Sequence, residues 1–166
     1  MNAQHVGISQ RNVILSNVIL FMIFAYLGAI VENAAYIFSA EKKEVTNLIA
    51  TGFPIFSIGA FTILATNRLL RPATKNPFVH FLAYGTVASL IELAGGIAVG
   101  AGPNARLPDG TITTWDYSQE RFNYKGIISL KHFAIWGALG LVVVQLRNFL
   151  LPRLQIGLQC AGQYKG

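Results

Sequence analysis

The sequence predicts an all-α fold: a polytopic membrane protein with a bundle of about four transmembrane helices and a long ordered outer loop. Hydrophobic residues make up 53% of its 166 residues and charged residues only 12%, which is unlike an ordinary soluble domain. The few charges leave four apolar runs of about 20 residues or more, each long enough to cross a hydrocarbon core of ~30 Å as a helix. A soluble bundle would show a polar stripe along each helix, and the first run, NVILSNVILFMIFAYLGAIV, shows none.

The four spans are predicted at 12–39, 46–67, 77–101 and 127–150, within a single membrane domain covering the whole chain. The first run resembles a secretory signal in its position, but its apolar core is too long and no small-x-small cleavage site follows. We therefore expect a retained helix.

Prolines mark two of the predicted boundaries. Pro72 and Pro77 separate the second and third spans, because each disfavours helix in the residue before it. The segment LLPRL is expected to end the fourth span, leaving a tail at 151–166.

Four spans place the N-terminus, the 68–76 loop and the tail on one side of the membrane. That side carries seven lysines and arginines against five on the other, counted over the loops and termini: Arg11, Arg68, Arg71, Lys75, Arg147, Arg153 and Lys165, against Lys42, Lys43, Arg106, Arg121 and Lys125. This modest positive-inside bias predicts that both termini lie on the cytoplasmic side. The net charge of +6 is best explained by lipid headgroups near the span ends, so the bilayer is an expected partner and nucleic acid is not.

Ionisable side chains inside the spans are the candidate functional residues, since each is costly unless it is partnered. At ~1.5 Å per residue, Glu32 lies about 30 Å along the first helix and Glu92 about 22 Å along the third, so both fall in the outer half of the membrane. Lys131 and His132 open the descending fourth span, and Asp116 lies in the outer loop at 102–126. The sequence therefore predicts a folded outer cap that rests on a polar cluster of these five residues.

Two interpretations of this cluster stay open. The polar groups could satisfy one another and lock the helices together. Alternatively, they could form a substrate or ion site, with Glu32 and Glu92 as proton or cation ligands and Lys131 as the counter-charge.

Known catalytic motifs are absent from the sequence: there is no phosphate-binding P-loop, no G-x-S-x-G elbow and no H-E-x-x-H zinc helix. The single cysteine, Cys160, excludes an intrachain disulfide and a cysteine-based metal site. We expect no enzymatic activity, no cofactor and no metal. A membrane hydrolase that uses Asp116 and His132 is a weaker hypothesis.

Four elements carry a family resemblance over about residues 26–152. They comprise a glycine and glutamate in the first span, an asparagine followed by a proline-isoleucine-aromatic-x-x-glycine element in the second, the third-span glutamate, and a WDYS–N–G–WG signature. The corresponding residues are Gly28, Glu32, Asn47, Pro54, Gly59, Glu92, Trp115, Asp116, Tyr117, Ser118, Asn123, Gly126, Trp136 and Gly137.

In these residues the sequence resembles the bacterial family of ABC-transporter type IV permeases, which are small polytopic membrane proteins. The chain departs from the family pattern at two positions, where Leu48 and Ile127 stand in place of family arginines. The resemblance implies a permease-like transport subunit that lacks its own ATPase. The alternative is a structural or accessory transmembrane subunit of a larger membrane complex or particle, and either interpretation implies other membrane subunits as partners.

Overall fold

Four helices account for most of the computed structural model: α1 (Gln10–Ile37), α2 (Val45–Leu70), α3 (Pro77–Val99) and α4 (Leu130–Gln163). The structure describes the backbone of residues 9–37 and 45–163, and the side chains of residues 9–31, 34 and 56–161. Each helix packs on the next one along the chain, and α4 also packs on α1 and α2. The described chain is thus a four-helix bundle.

Three of the helices are long and apolar enough to cross a membrane by length and composition. Within the described side chains these stretches are Gln10–Val31, Pro77–Val99 and Leu130–Ala161, and α2 contributes a shorter apolar stretch, Phe56–Leu70. Several large apolar side chains on the outside of the bundle, such as Ile30, are more than half exposed, as expected of a surface that faces lipid. The prediction of an all-α membrane bundle is confirmed.

The third helix begins and ends with standard capping residues. Asn76 accepts a hydrogen bond from the Phe78 backbone N–H at 2.9 Å, and Pro77 occupies the first turn, where its missing N–H costs nothing. Gly100 then adopts a left-handed conformation with φ of 70° and donates its N–H to the Gly96 carbonyl. The helix therefore stops two residues before the predicted end at 101.

Residues 100–129 fold into a compact cap at one end of the bundle, which we call the lid. It contains a short 3₁₀ helix (Pro103–Ala105) and an antiparallel hairpin, β1 (Asn123–Tyr124) with β2 (Ile128–Ser129). Trp115 lies at its centre, 7% exposed, and packs with Ala101 and Ile127. The outer loop predicted at 102–126 is thus ordered, but it is longer than predicted, because 128–129 form a strand and α4 begins only at Leu130.

The fourth helix differs from its predicted extent at its other end as well. It runs through Pro152 to Gln163, although the sequence predicted a stop at LLPRL. A helix-interior proline costs about 3 kcal/mol. Here leucines on both sides of the proline pack on the core of α1 and α2 formed by Leu20, Phe24 and Ala60; they are Leu146, Leu150, Leu151 and Leu154. Burial of leucines on both sides of Pro152 keeps the helix continuous at that residue.

Glycines allow α3 and α4 to approach closely. A Cβ on Gly137 would lie 2.8 Å from the Phe81 carbonyl oxygen, and a Cβ on Gly85 would lie 2.8 Å from the Phe133 carbonyl oxygen. Because these neighbours are backbone atoms of the facing helix, they cannot give way without moving that helix.

We predict that Gly137→Ala lowers the free energy of unfolding by about 1–3 kcal/mol, since overpacking forces the helices apart. Gly59→Ala is the matched control, because a Cβ there meets nothing within 4 Å. Thermal unfolding in mild detergent measures both. Equal effects of the two substitutions would contradict the close approach.

Candidate functional site

The side chain of Glu92 joins three elements at the lid end of the bundle. It belongs to α3, is 5% exposed, and accepts hydrogen bonds at both carboxylate oxygens. The Tyr117 hydroxyl of the lid donates to Oε1 at 2.9 Å, and the Trp136 indole N–H of α4 donates to Oε2 at 3.0 Å. We call Glu92, Tyr117 and Trp136 the carboxylate clamp.

Tyr117 is held in place by both its backbone and its ring. Its N–H donates to the Gly126 carbonyl at 2.7 Å. Its ring stacks on His132, with centroids 3.7 Å apart and planes 11° from parallel. His132 in turn contacts the Ser129 hydroxyl through Nδ1 at 2.9 Å. The first turn of α4 therefore supports the tyrosine that reaches Glu92.

Trp136 links the clamp to the first two helices. Its ring lies 6.3 Å, centroid to centroid, from that of Phe56 on α2. Phe56 fills the space beside Gly28 on α1, where an added Cβ would overlap the phenyl ring. Glu92 is consequently connected to all four helices and the lid through a short chain of packed side chains.

A second polar pair fixes the inside of the lid. The Asp116 carboxylate is 1% exposed and receives hydrogen bonds from Arg106 Nε at 3.1 Å and the Ser118 backbone N–H at 2.9 Å. Burial raises the pKa of Asp116, but the hydrogen bonds from Ser118 and Arg106 and the Arg106 charge outweigh it, so the pKa lies below its ordinary value. Asp116 is therefore a buried anion that organises the lid.

The signature residues of the lid close it around this pair. Trp115 donates its indole N–H to the Ile127 carbonyl at 3.0 Å. The Asn123 side chain accepts from the Gly126 N–H and donates to the Ser118 and Glu120 carbonyls. Gly126 has φ of 66°, and a Cβ there would lie 3.0 Å from Asp116 Oδ1. Glycine is required at this turn both for its conformation and for space.

The structure rearranges part of the polar cluster predicted from the sequence. Among the described residues, Lys131 pairs with Glu120 and not with Glu92: its Nζ binds Glu120 Oε1 at 2.6 Å, and its side chain is 61% exposed. Because α4 begins at Leu130, Lys131 sits in the first turn and reaches water, where an ion pair avoids the desolvation cost of burial. Asp116 pairs with Arg106, so it does not meet Lys131 either, and His132 touches the clamp through the Tyr117 ring.

Some of the predicted positions lie outside the described side chains, namely Glu32, Asn47 and Pro54. Gly59 is described and has open space beside it, so close packing does not explain a glycine there. Among the described residues, no group of three His, Cys, Asp or Glu side chains is placed to hold a metal ion.

Two contributors were missed by sequence reasoning. The sequence presents Arg106 only as a loop charge. Its pairing with Asp116 depends on the bridge between Arg106 and Ile112, which no local sequence pattern predicts. Trp136 was noted only as a signature residue. Its hydrogen bond to Glu92 could have been suggested by the sequence, because a buried indole N–H needs an acceptor and a buried carboxylate needs donors.

The other end of the bundle has its own hydrogen-bonded chain. The Tyr84 hydroxyl donates to Asn67 Oδ1 at 2.8 Å and lies 2.9 Å from His80 Nδ1, while His80 Nε2 lies 3.0 Å from the Thr74 carbonyl oxygen. These contacts tie the α2–α3 connection to α3. His80 is thereby explained as a structural residue.

Comparison with known proteins identifies a family to which the chain belongs. The family described as "Putative ABC-transporter type IV" matches residues 19–160, a range that contains the whole lid and the carboxylate clamp. Curated proteins and solved structures yielded no match to the chain.

We predict that Glu92→Leu destabilises the protein by about 1–3 kcal/mol for each orphaned donor, because the Tyr117 and Trp136 donors stay buried without an acceptor. Glu92→Gln is expected to retain most of the stability, since its amide oxygen can accept from Trp136 and its amide nitrogen can donate to the Tyr117 oxygen. The matched control is Glu120→Leu, which breaks an exposed pair worth below about 1 kcal/mol. Chemical or thermal unfolding in detergent distinguishes them, and a Gln variant as unstable as the Leu variant would contradict the clamp.

We also predict that the lid loosens in acid. The pKa of folded Asp116 lies below its ordinary value of 3.8, so its contribution to stability is complete above that pH and disappears as the pH falls through the lower folded value. Hydrogen-exchange protection of the Tyr117 and Ser118 amides, normalised to intrinsic rates, should fall in that window. Asp116→Asn should reduce protection at neutral pH and remove the dependence; an unchanged acid transition in this variant would assign it to another group.

Proposed function

The chain belongs to the ABC-transporter type IV family, and on that premise we propose that it is an accessory membrane subunit of a transport assembly, with neither an ATPase nor a translocation path of its own. It is a membrane protein by its family and its apolar helices. The sequence contains no P-loop, so any ATP hydrolysis would be supplied by a partner chain. We expect no catalytic activity from this chain.

The closed state of Glu92 is the observation that carries this proposal. A carboxylate that serves a translocation path needs contact with water or a moving ion, whereas this one is 5% exposed and both its oxygens accept hydrogen bonds from protein donors. Such an arrangement satisfies a polar group within a span and fixes the helices around it. It supports a structural role for the bundle within a larger assembly.

A permease-like transport subunit is the second candidate, and one feature favours it. Glu92 is an ionisable side chain within a span, and its donor Tyr117 belongs to the lid and not to a helix. Displacement of the lid would free Oε1 and open Glu92 to water. In this case Glu92 would bind and release protons, and Glu92→Gln would abolish transport while leaving the fold intact.

The experiment asks whether water-soluble reagents reach the neighbourhood of Glu92. It uses the thiol of Ser89→Cys, in a Cys160→Ser background, as a probe three residues before Glu92 in α3, on the side away from the lid. Ser89 is 8% exposed, and its hydroxyl has no hydrogen-bond partner in the described structure. Intact cells are treated with a membrane-impermeant thiol reagent, and the chain is then purified in mild detergent together with its partners. We expect position 89 to remain unmodified and other membrane subunits to co-purify.

Asn104→Cys, on the exposed surface of the lid, is the matched control. We propose from the charge bias of the loops that both termini are cytoplasmic, so that the lid faces outward and position 104 is modified in intact cells. Modification of position 89 would favour the permease-like candidate. Recovery of the chain without partner subunits would contradict an accessory role.

A further inference from the structure

We propose that residues 121–125, which lead into β1 and include it, anchor the lid to the membrane surface by binding anionic phospholipid headgroups; we call this exposed segment the lid tip. All five residues, RFNYK, are exposed. The Phe122 and Tyr124 side chains are 67% and 54% exposed, whereas the interior of the same lid buries its aromatic Trp115. Exposed aromatics flanked by cations are typical of the zone where a membrane meets water.

The backbone of this exposed segment is held in a constrained conformation. Phe122 and Lys125 have φ of 58° and 54°, and a bulky residue adopts this left-handed conformation only where its surroundings impose it. Asn123 imposes it by bonding to the backbone on both sides, at Ser118, Glu120 and Gly126. The two aromatic side chains are therefore presented outward by a fixed turn.

The lid tip lies beside the start of α4, where the fourth apolar stretch begins. The Leu130 N–H, at the start of the fourth apolar stretch, donates to the Phe122 carbonyl at 3.1 Å. Leu130 is itself 58% exposed, so the apolar surface of α4 continues onto the tip. The neighbouring Lys131 pairs with Glu120 and is 61% exposed, so charged groups beside Leu130 are still in contact with water.

The charges of the tip fit phosphate. Arg121 lies over the Phe122 ring at 4.9 Å and Lys125 over the Tyr124 ring at 5.6 Å. Within the described part of the chain, neither cation has a carboxylate partner, while Lys131 already has Glu120. Two cations held on aromatic rings at the membrane boundary complement the phosphates of anionic lipids.

The test places an environment-sensitive fluorophore on Gln119→Cys, an exposed position two residues before the lid tip, in the full chain with Cys160→Ser, reconstituted in vesicles of phosphatidylcholine and phosphatidylglycerol. Headgroup nitroxide lipids should quench it strongly, and aqueous iodide weakly. Arg121→Gln or Lys125→Gln alone should raise iodide quenching about fivefold, which is the factor one interfacial cation contributes. The two together should raise it further, and vesicles of phosphatidylcholine alone should match the double variant. The control Lys131→Gln, at the same end of the bundle, should leave quenching unchanged.

Two results would overturn the proposal. A probe quenched by iodide and untouched by nitroxide lipids would place the tip in water, where it is available to a protein partner. Strong lipid quenching that ignores both the glutamine substitutions and the lipid charge would show aromatic insertion without headgroup recognition. Unfolding temperatures of all variants, compared with the unsubstituted chain, establish that the lid remains folded.

Discussion

A carboxylate buried inside a membrane bundle imposes the strongest constraint on this structure. Glu92 has no bulk water around it, so protein donors must meet its oxygens. The donors come from different elements, Tyr117 from the lid and Trp136 from α4. The ordered lid, the stacking of Tyr117 on His132 and the packing of Phe56 against Trp136 all keep these donors in position. A single polar group thus determines the arrangement of several apolar ones.

The sequence was sufficient to predict the helices, because the need to match lipid over ~30 Å leaves long apolar runs that no other fold explains as well. It was less informative about where they end. Pro152 is a local signal for a helix end, but tertiary packing of leucines on both sides of it prevailed. At the start of α4, residues 127–129 were predicted as helix but belong to the lid, where Ile127 packs with Trp115.

For the polar cluster, the sequence indicated which residues matter better than it indicated which of them pair. Glu92 and Asp116 are both buried, but their partners depend on how the lid folds back on itself. Asp116 meets Arg106 in a lid whose chain turns back at the bridge between Arg106 and Ile112, and Lys131 pairs with Glu120 because its helix starts later than predicted. Charge alone cannot specify such pairings, since any nearby cation satisfies the same rule. The signature residues are easier to explain afterwards, as spacers such as Gly137 and as donors such as Trp136.

The order in which the chain is made gives the clamp a further consequence. Synthesis proceeds from the N-terminus, so α3 is complete before the lid and α4 exist. Trp136 follows Glu92 by 44 residues, and until it arrives the carboxylate lacks that donor. The apolar length of α3 alone must therefore tolerate the polar group during insertion, or α3 must enter the bilayer together with α4 as a helical pair. By either route, both oxygens of Glu92 gain their donors only after α4 has been made.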